Sequence, residues 1–147
     1  YIEEDTFILS YGDCLSNIHV RDMISFHQKS GTIATMAVAK PTGRNETLLL
    51  DGDGWVQNAK DGQRDGQAWT NACLYVLNKK VFDILIGNYN FEQLLMENLS
   101  GRKQLASYKH EGFWKPVETN RDRVNMENLW NAGIAPWIFE TVPKEGK

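Results

Sequence analysis

The sequence lacks the features that mark membrane, disulfide-rich and nucleic-acid-binding proteins. Its apolar runs, such as LYVL and ILI, are far too short to cross a bilayer. It has only two cysteines, Cys14 and Cys73, and no C-x-x-C pair, which excludes a disulfide framework and favours a reducing cytoplasm. Basic residues are not in excess, since 16 Lys and Arg against 19 Asp and Glu give a formal charge of −3. We therefore expect neither nucleic acid nor a membrane surface as a partner.

Histidine ligand patterns are also missing, and the opening residues do not have the pattern of a signal peptide. The three histidines are scattered without the spacing of metal ligands, and no Ser/His/Asp or Cys/His arrangement suggests a nucleophile. The opening YIEED is acidic and has neither the positive nor the apolar region of a signal peptide, so we expect a cytoplasmic protein. What remains is an ordinary globular composition. Its 147 residues fit one domain that buries about 70% of its unfolded surface.

The first forty residues predict a strand, a helix and a second strand. Residues 6–11 favour a strand, and Ser16 or Asn17 offers an N-cap for a helix that ends at Gly31. The run TIATMAVAK, residues 32–40, is almost uniformly apolar, as expected for a strand covered on both faces. Such a βαβ unit predicts parallel strands joined by a right-handed crossover.

The rest of the chain continues to alternate between strands and helices. The turn DGDG predicts a hairpin, and Thr119 with Asp122 predicts a capping box at the start of the last helix. The expected elements are hairpin strands at 48–51 and 54–59, strands at 69–78 and 104–110, and helices at 81–86, 91–99 and 119–131. This alternation indicates a layered α/β domain.

Asp13 follows directly on the first predicted strand, within FILSYGDCLSN. In open α/β sheets, ligands bind beyond the carboxyl ends of the strands, and a carboxylate there can hold Mg²⁺. Aspartate is also a common turn residue. The residues alone leave both roles of Asp13 open.

Three further polar residues stand where a ligand could reach them. Lys60 opens a Gly-rich loop and could hold a phosphate as a point charge, and Arg44 is a similar loop cation. Each of these two could equally be an ordinary surface residue. Asn71 lies inside an apolar strand, where a buried amide needs partners, so it is either a structural hydrogen-bonder or a ligand contact.

The run GFWKPVETNRDR, residues 112–123, places aromatic and acidic residues before the last helix. In the functional interpretation, Trp114 is exposed and Glu118 is a second cation ligand beside Asp13. In the alternative, Glu118 is a partner of the helix dipole and Trp114 is a packing residue.

Taken in order, these segments resemble the C-terminal half of the sugar-1-phosphate nucleotidyltransferases, most closely the glucose-1-phosphate cytidylyltransferases. The resemblance covers nearly the whole chain and rests on FILSYGD, ISFHQKSG, GTIATMAVAKPTGR, YVLNKKVFD, EGFWKPVETNRDR and LWNAGIAPW. It implies a three-layer, Rossmann-like α/β fold with a mixed, mainly parallel sheet. Such a fold is the C-terminal part of a nucleotidyltransferase domain of the glycosyltransferase-A-like type.

The resemblance also implies a reaction that depends on Mg²⁺. A phosphate oxygen of glucose 1-phosphate attacks the α-phosphorus of CTP, which releases pyrophosphate and gives CDP-glucose. A sugar 1-phosphate and CTP are therefore the expected partners. On the family's motifs, Asp13 and Glu118 would bind Mg²⁺ and Lys60 would grip the sugar phosphate. The expected substrate contacts are Asn71, Arg44 and Trp114.

The chain departs from the family at positions where small residues are usual. Cys14 and Cys73 stand where the family has glycine, and Glu118 replaces the usual Asp. A side chain added where glycine allows close approach can block a substrate. These changes favour an alternative function, a non-catalytic relative kept as an interaction or oligomerisation module. A third interpretation is a sugar-binding module without transfer chemistry.

The family's G-G-x-G-T-R loop, which wraps the nucleotide phosphates, has no match in this sequence. We therefore expect the nucleotide-binding half to be absent from this chain, and the chain alone not to bind CTP. If that half supplies neighbouring strands, the chain exposes a sheet edge, which predicts a homo-oligomer.

Overall fold

A computed structural model describes residues 2–40, 48–57, 69–84 and 90–138 of the chain. Eight strands and three α-helices lie in these residues, and short 3₁₀ turns at Lys79–Asp83 and Ser100–Arg102 follow two of them. In chain order the elements are β1 (Thr6–Ser10), β2 (Cys14–Ser16), α1 (Val20–Ser30), β3 (Ala34–Ala39), β4 (Leu49–Leu50), β5 (Val56–Gln57), β6 (Thr70–Asn78), α2 (Phe91–Leu99), β7 (Leu105–His110), β8 (Trp114–Pro116) and α3 (Asn120–Asn131).

A four-stranded sheet in the order β1-β6-β3-β7 forms the centre of the fold. Strand β6 is antiparallel to both of its neighbours, and β3 is parallel to β7. Three of the four strands therefore run in one direction, which confirms the predicted mixed sheet, and two of the three ladders are antiparallel. The parallel strands β1 and β3 of the predicted βαβ unit are separated by β6. Strand β1 is an edge of this sheet, and the homo-oligomer expected through such an edge stays a prediction.

Helices cover both faces of the sheet because consecutive residues of β3 point to opposite sides. Met36 packs in one apolar cluster with Leu95 of α2. The next residue, Ala37, packs in a second cluster with Met23 of α1. All of β3 is buried, as its apolar sequence predicts. The result is three layers, with α1 and α2 on either side of the sheet.

The start of α1 differs from the prediction. His19 occupies the N-cap, its side chain does not cap the helix, and Cys14–Ser16 forms β2, which pairs with β8. The expected N-cap at Ser16 or Asn17 is therefore wrong, because a ladder to a distant segment replaces the local capping interaction. The end of α1 is as predicted, since Gly31 adopts a left-handed φ of 64°.

Two predictions near the other helices have different outcomes. The capping box of α3 is confirmed, because Thr119 Oγ1 accepts from the Asp122 N–H at 3.1 Å and Asp122 accepts from the Thr119 N–H at 3.0 Å. Hydrogen bonds from Thr119, and then Lys115, lower the pKa of Asp122 to about 2. In place of the helix expected at 81–86, the described residues form a 3₁₀ turn at Lys79–Asp83. No helix in the described ranges is long and apolar enough to cross a bilayer.

His27 makes the stability of the fold depend on pH. The imidazole is 4% exposed, and its Nδ1 lies 2.8 Å from Oγ1 of Thr35 on β3. Burial lowers the pKa of His27 from its ordinary value of 6.5, so the folded state binds this proton less readily than the unfolded state. The stabilisation is therefore complete above about pH 6.5 and is lost as the pH falls toward the folded pKa. We expect the urea midpoint to fall between about pH 7 and about pH 5.

The matched variant His27→Gln separates this effect from the titration of carboxylates. Glutamine can still reach Thr35 but does not titrate, so its urea midpoint should change less over the same pH range. Equal pH dependence in the two proteins would contradict the assignment to His27.

Candidate active site

The ladder between β2 and β8 brings together the two chain segments that carry the predicted metal ligands. Cys14 pairs with Pro116, and one step further the Val117 N–H donates to the Asp13 carbonyl at 2.7 Å. Glu118 follows Val117 directly, and both Asp13 and Glu118 are exposed. The backbones at Asp13 and Val117, far apart in the sequence, are therefore in contact just beyond β1, and Glu118 is the next residue along the chain.

Both cysteines lie beside Asp13. The Cys14 thiol donates to the Asp13 carboxylate, with Sγ and Oδ1 3.6 Å apart. Cys73 approaches from β6, and the ligand atoms of Asp13, Cys14 and Cys73 all lie within 4.8 Å of one another. Within the described ranges no other group of three His, Cys, Asp or Glu side chains is this compact. Sequence reasoning treats the two cysteines as substituted glycines and does not predict that they meet.

The charges around Cys73 are negative. A hydrogen bond with Cys14 lowers the pKa of the Cys73 thiol, while burial and the charges of Asp13, Glu92 and Glu118 oppose this shift. The same hydrogen bond, together with burial, raises the pKa of Cys14. An acidic environment of this kind attracts a cation rather than an anion.

Asn71 is held in a hydrogen-bond network with Tyr75 and Glu92. Its Nδ2 donates to the Tyr75 hydroxyl at 2.5 Å and to Glu92 Oε1 at 2.8 Å, and its Oδ1 accepts from the Cys73 N–H at 2.9 Å. Burial, followed by the charge of Glu92, raises the pKa of Tyr75, so this fully buried phenol stays protonated. The structural alternative for Asn71 is thus observed, and its contact with a sugar stays a prediction.

Glu92 is a site residue that sequence reasoning misses. It follows the N-cap Asn90 in the first turn of α2, where an acidic residue is ordinary. The signal that could have revealed it is the amide of Asn71, half-buried within β6, which needs an acceptor from another element.

Trp114 is a core residue. It is 7% exposed, packs in the same cluster as Ile18 and Met23, and donates its indole N–H to the Ala72 carbonyl at 3.2 Å. The expectation of an exposed aromatic is wrong, because the pairing of β8 with β2 turns this side chain into the core. The alternative interpretation, in which Trp114 is a packing residue, is confirmed.

The two predicted cations cannot be placed beside these residues. Lys60 and Arg44 both lie outside the described residues. Their roles in holding phosphates stay predictions.

Cys73 adopts a backbone conformation that suits glycine. Its φ is 61°, at a bulge where the register of β3 against β6 shifts between Met36 and Val38. A non-glycine residue in the left-handed region costs about 1–2 kcal/mol. We therefore expect Cys73→Gly to be more stable than Cys73→Ala by about 1 kcal/mol in urea unfolding. This order of stabilities is the reverse of the usual one, because Ala is normally more stabilising than Gly inside a strand.

The Ala variant is the matched control, because both changes remove the thiol and only one keeps a Cβ atom. Equal stabilities, or a more stable Ala variant, would contradict strain at this position.

The sequence has informative relatives, although no protein-family model matches it. It is 34% identical over 139 residues to the "Probable glucose-1-phosphate cytidylyltransferase" of Bacillus subtilis. It is 32% identical over 139 residues to the glucose-1-phosphate cytidylyltransferase of Salmonella typhi. The chain is a relative of the sugar-1-phosphate nucleotidyltransferases. Each alignment covers 93% of this chain and 54% of the relative, so the chain spans about half the length of the curated relatives it matches.

Solved structures share the fold of this nucleotidyltransferase relative. HddC from Yersinia pseudotuberculosis superposes with a TM-score of 0.68 and 18% identity, over 85% of this chain and 55% of HddC. The inositol-1-phosphate CTP transferase of T. maritima gives a TM-score of 0.58 and 16% identity, over 83% and 53% of the two chains. These similarities confirm the predicted α/β nucleotidyltransferase fold.

Proposed function

We propose that this chain is the sugar-phosphate and metal side of a Mg²⁺-dependent sugar-1-phosphate nucleotidyltransferase that uses CTP and glucose 1-phosphate. The observation that carries the proposal is the backbone contact of Asp13 with Val117 at the end of the β2–β8 ladder, which places Glu118 one residue from that contact. The names of the relatives from Bacillus subtilis and Salmonella typhi support this choice of substrates.

Carboxylates are ligands of the kind that a magnesium ion takes. Magnesium takes oxygen ligands, keeps several waters, and is usually bound through one or two carboxylates together with substrate phosphates. Asp13 and Glu118 are exposed, which leaves room for waters and phosphates. The ion would neutralise the charge that develops on the transferred phosphoryl group.

The remaining chemistry requires positioning rather than a covalent intermediate. One phosphate oxygen of the sugar forms a bond to the α-phosphorus of CTP, while the bond from that phosphorus to the pyrophosphate oxygen breaks. In this proposal Lys60 and Arg44 hold phosphate oxygens as cations. Asn71 contacts the sugar with an amide whose orientation is fixed by Tyr75 and Glu92.

A second candidate is a non-catalytic relative that serves as an interaction module. The observation that favours it is the contact of the Cys14 thiol with the Asp13 carboxylate, at the position proposed for the ion. In this case the fold is kept, and the site has lost its transfer activity.

Pyrophosphate release by the complete gene product separates the two candidates. We expect release with CTP, glucose 1-phosphate and Mg²⁺ together, and none when any one of the three is omitted. Replacing CTP with other nucleoside triphosphates, and glucose 1-phosphate with other sugar 1-phosphates, tests the substrate assignment. A folded protein without release for any pair would contradict the enzyme and support the interaction module.

A further inference from the structure

We infer that Cys14 and Cys73 are a modification site, at which exchange with a small cationic disulfide joins the two residues in a reversible disulfide bond. The inference does not rest on the proposed transfer activity. It is carried by the contact of the two thiols, which come from distant segments of the chain and share a hydrogen bond. The bond uses no atom of Asp13 or Glu118, so it is compatible with the magnesium site proposed there.

The two thiols are neighbours because the backbone fixes both residues. Their sulfur atoms lie within 4.8 Å of each other, a gap that rotation about the Cα–Cβ bonds can close. Cys14 pairs with Pro116 in the β2–β8 ladder. The Cys73 N–H donates to Asn71 Oδ1 at 2.9 Å, and the Cys73 carbonyl accepts from the Tyr11 N–H at 3.1 Å. Each thiol is therefore held near the other at a high effective concentration.

Bond formation takes two exchange steps. The sulfur of one cysteine attacks a small disulfide as a thiolate, so that a mixed disulfide forms and half of the reagent leaves as a thiolate. The second cysteine then attacks the protein sulfur of the mixed disulfide and releases the other half of the reagent. The two protein thiols are oxidised to one disulfide, the reagent is reduced to two thiols, and the two protons pass to these leaving groups. Both cysteines are half-buried, so a reagent can reach a sulfur atom from solvent.

The negative surroundings select the charge of the reagent. The carboxylates of Asp13, Glu92 and Glu118 act on the Cys73 thiol through their charge, and the Cys14 sulfur lies 3.6 Å from Asp13 Oδ1. Charges of one sign raise the local concentration of oppositely charged reagents and repel those of the same sign. A cationic disulfide such as cystamine should therefore react faster than the anionic disulfide of glutathione. We expect a ratio of rates of at least about tenfold at low ionic strength, falling as salt is added.

The bond changes the surroundings of the candidate active site. It joins β2 to β6, two strands that belong to different sheets. It also removes the S–H group that donates to the Asp13 carboxylate. In reducing surroundings, bonds of this kind are usually transient and redox-sensing. The pair is therefore a reversible modification site rather than part of a permanent disulfide framework.

Mass spectrometry of the chain after incubation with cystamine tests the bond. We expect a monomer that has lost two hydrogen atoms, carries no reagent, and gives a peptide pair that links Cys14 to Cys73. Dithiothreitol should reverse the change. Cys14→Ser is the matched control and should retain a single mixed disulfide at Cys73. A parent chain that keeps a reagent molecule on each cysteine, or that is linked only to a second chain, would overturn the inference.

Urea unfolding separates a bond that fits the folded state from a chance cross-link. Oxidation should raise the urea midpoint of the parent by at least about 1 M, because a cross-link over the long loop between residues 14 and 73 constrains the unfolded chain. Cys14→Ser, treated in the same way, should not gain this stability. An oxidised parent that unfolds at the same or a lower urea concentration would contradict the site.

The rates of reaction with the two reagents test the role of the carboxylates. In the unfolded chain, cystamine and glutathione disulfide should react at similar rates, because Asp13, Glu92 and Glu118 are no longer held beside the thiols. A folded chain that does not distinguish the two reagents would contradict the selection of a cationic disulfide. None of these measurements uses CTP or a sugar phosphate, so failure here is distinguishable from failure of the proposed transfer reaction.

Discussion

Asp13→Asn is expected to lower the rate of pyrophosphate release by at least about 100-fold, since a misplacement of about 1 Å at such a site already costs roughly that factor. The change removes one negative charge from the proposed magnesium pair and keeps the size of the side chain. Asparagine is also a good turn residue, and the Asp13 carbonyl that accepts from Val117 is unaffected. The loss should appear in kcat at saturating substrates, together with a higher Mg²⁺ concentration for half-maximal rate.

Two variants make this experiment specific. Asp83→Asn removes an exposed carboxylate elsewhere and should keep the parental rate. Glu118→Gln should reproduce the loss, because Glu118 is the proposed partner of Asp13 on the same ion. The metal role of Asp13 is refuted if the Asp13→Asn variant meets two conditions. Its rate stays within about threefold of the parental rate, and its dependence on the magnesium concentration is the same as that of the parent.

Elements whose signals are local could be predicted from the sequence. The apolar run of β3, the capping box at Thr119 and the glycine that ends α1 all act within a few residues, and the structure has each of them. The pairing of β2 with β8 could not be predicted, since Cys14–Ser16 has no strand signal of its own. Its partner is far along the chain, and this ladder both moves the start of α1 and turns Trp114 into the core.

In the candidate site, too, local features could be predicted from the sequence and contacts between distant segments could not. The backbone of Asp13 contacts that of Val117, next to Glu118, and the shared metal ion that the sequence suggests for this pair stays a prediction. The meeting of Cys14 with Cys73 depends on a bulge in β6 and a left-handed φ, neither of which has a sequence signal when the residue is cysteine. The side chain of Glu92 reaches Asn71 only because α2 packs over β6. Contacts between distant elements therefore determine most of the site.

Leu95→Ala is expected to lower the free energy of unfolding by about 3 kcal/mol, within the range of roughly 2–5 kcal/mol for buried leucines. Leu95 is fully buried and packs in one cluster with Met36 and Tyr75, between α2 and the sheet. Its removal leaves a cavity beneath the helix that carries Glu92, so the support of Asn71 should weaken as well. Urea unfolding followed by circular dichroism measures the loss.

The matched control is Glu97→Ala on the exposed face of the same helix, which should change the free energy of unfolding by less than about 0.5 kcal/mol. A domain of this size has a total stability of about 5–15 kcal/mol, so Leu95→Ala leaves a folded protein with a measurable midpoint. A loss below about 1 kcal/mol would mean that α2 does not pack on the sheet as described. In that case the network of Asn71, Tyr75 and Glu92, which depends on this packing, would also be in error.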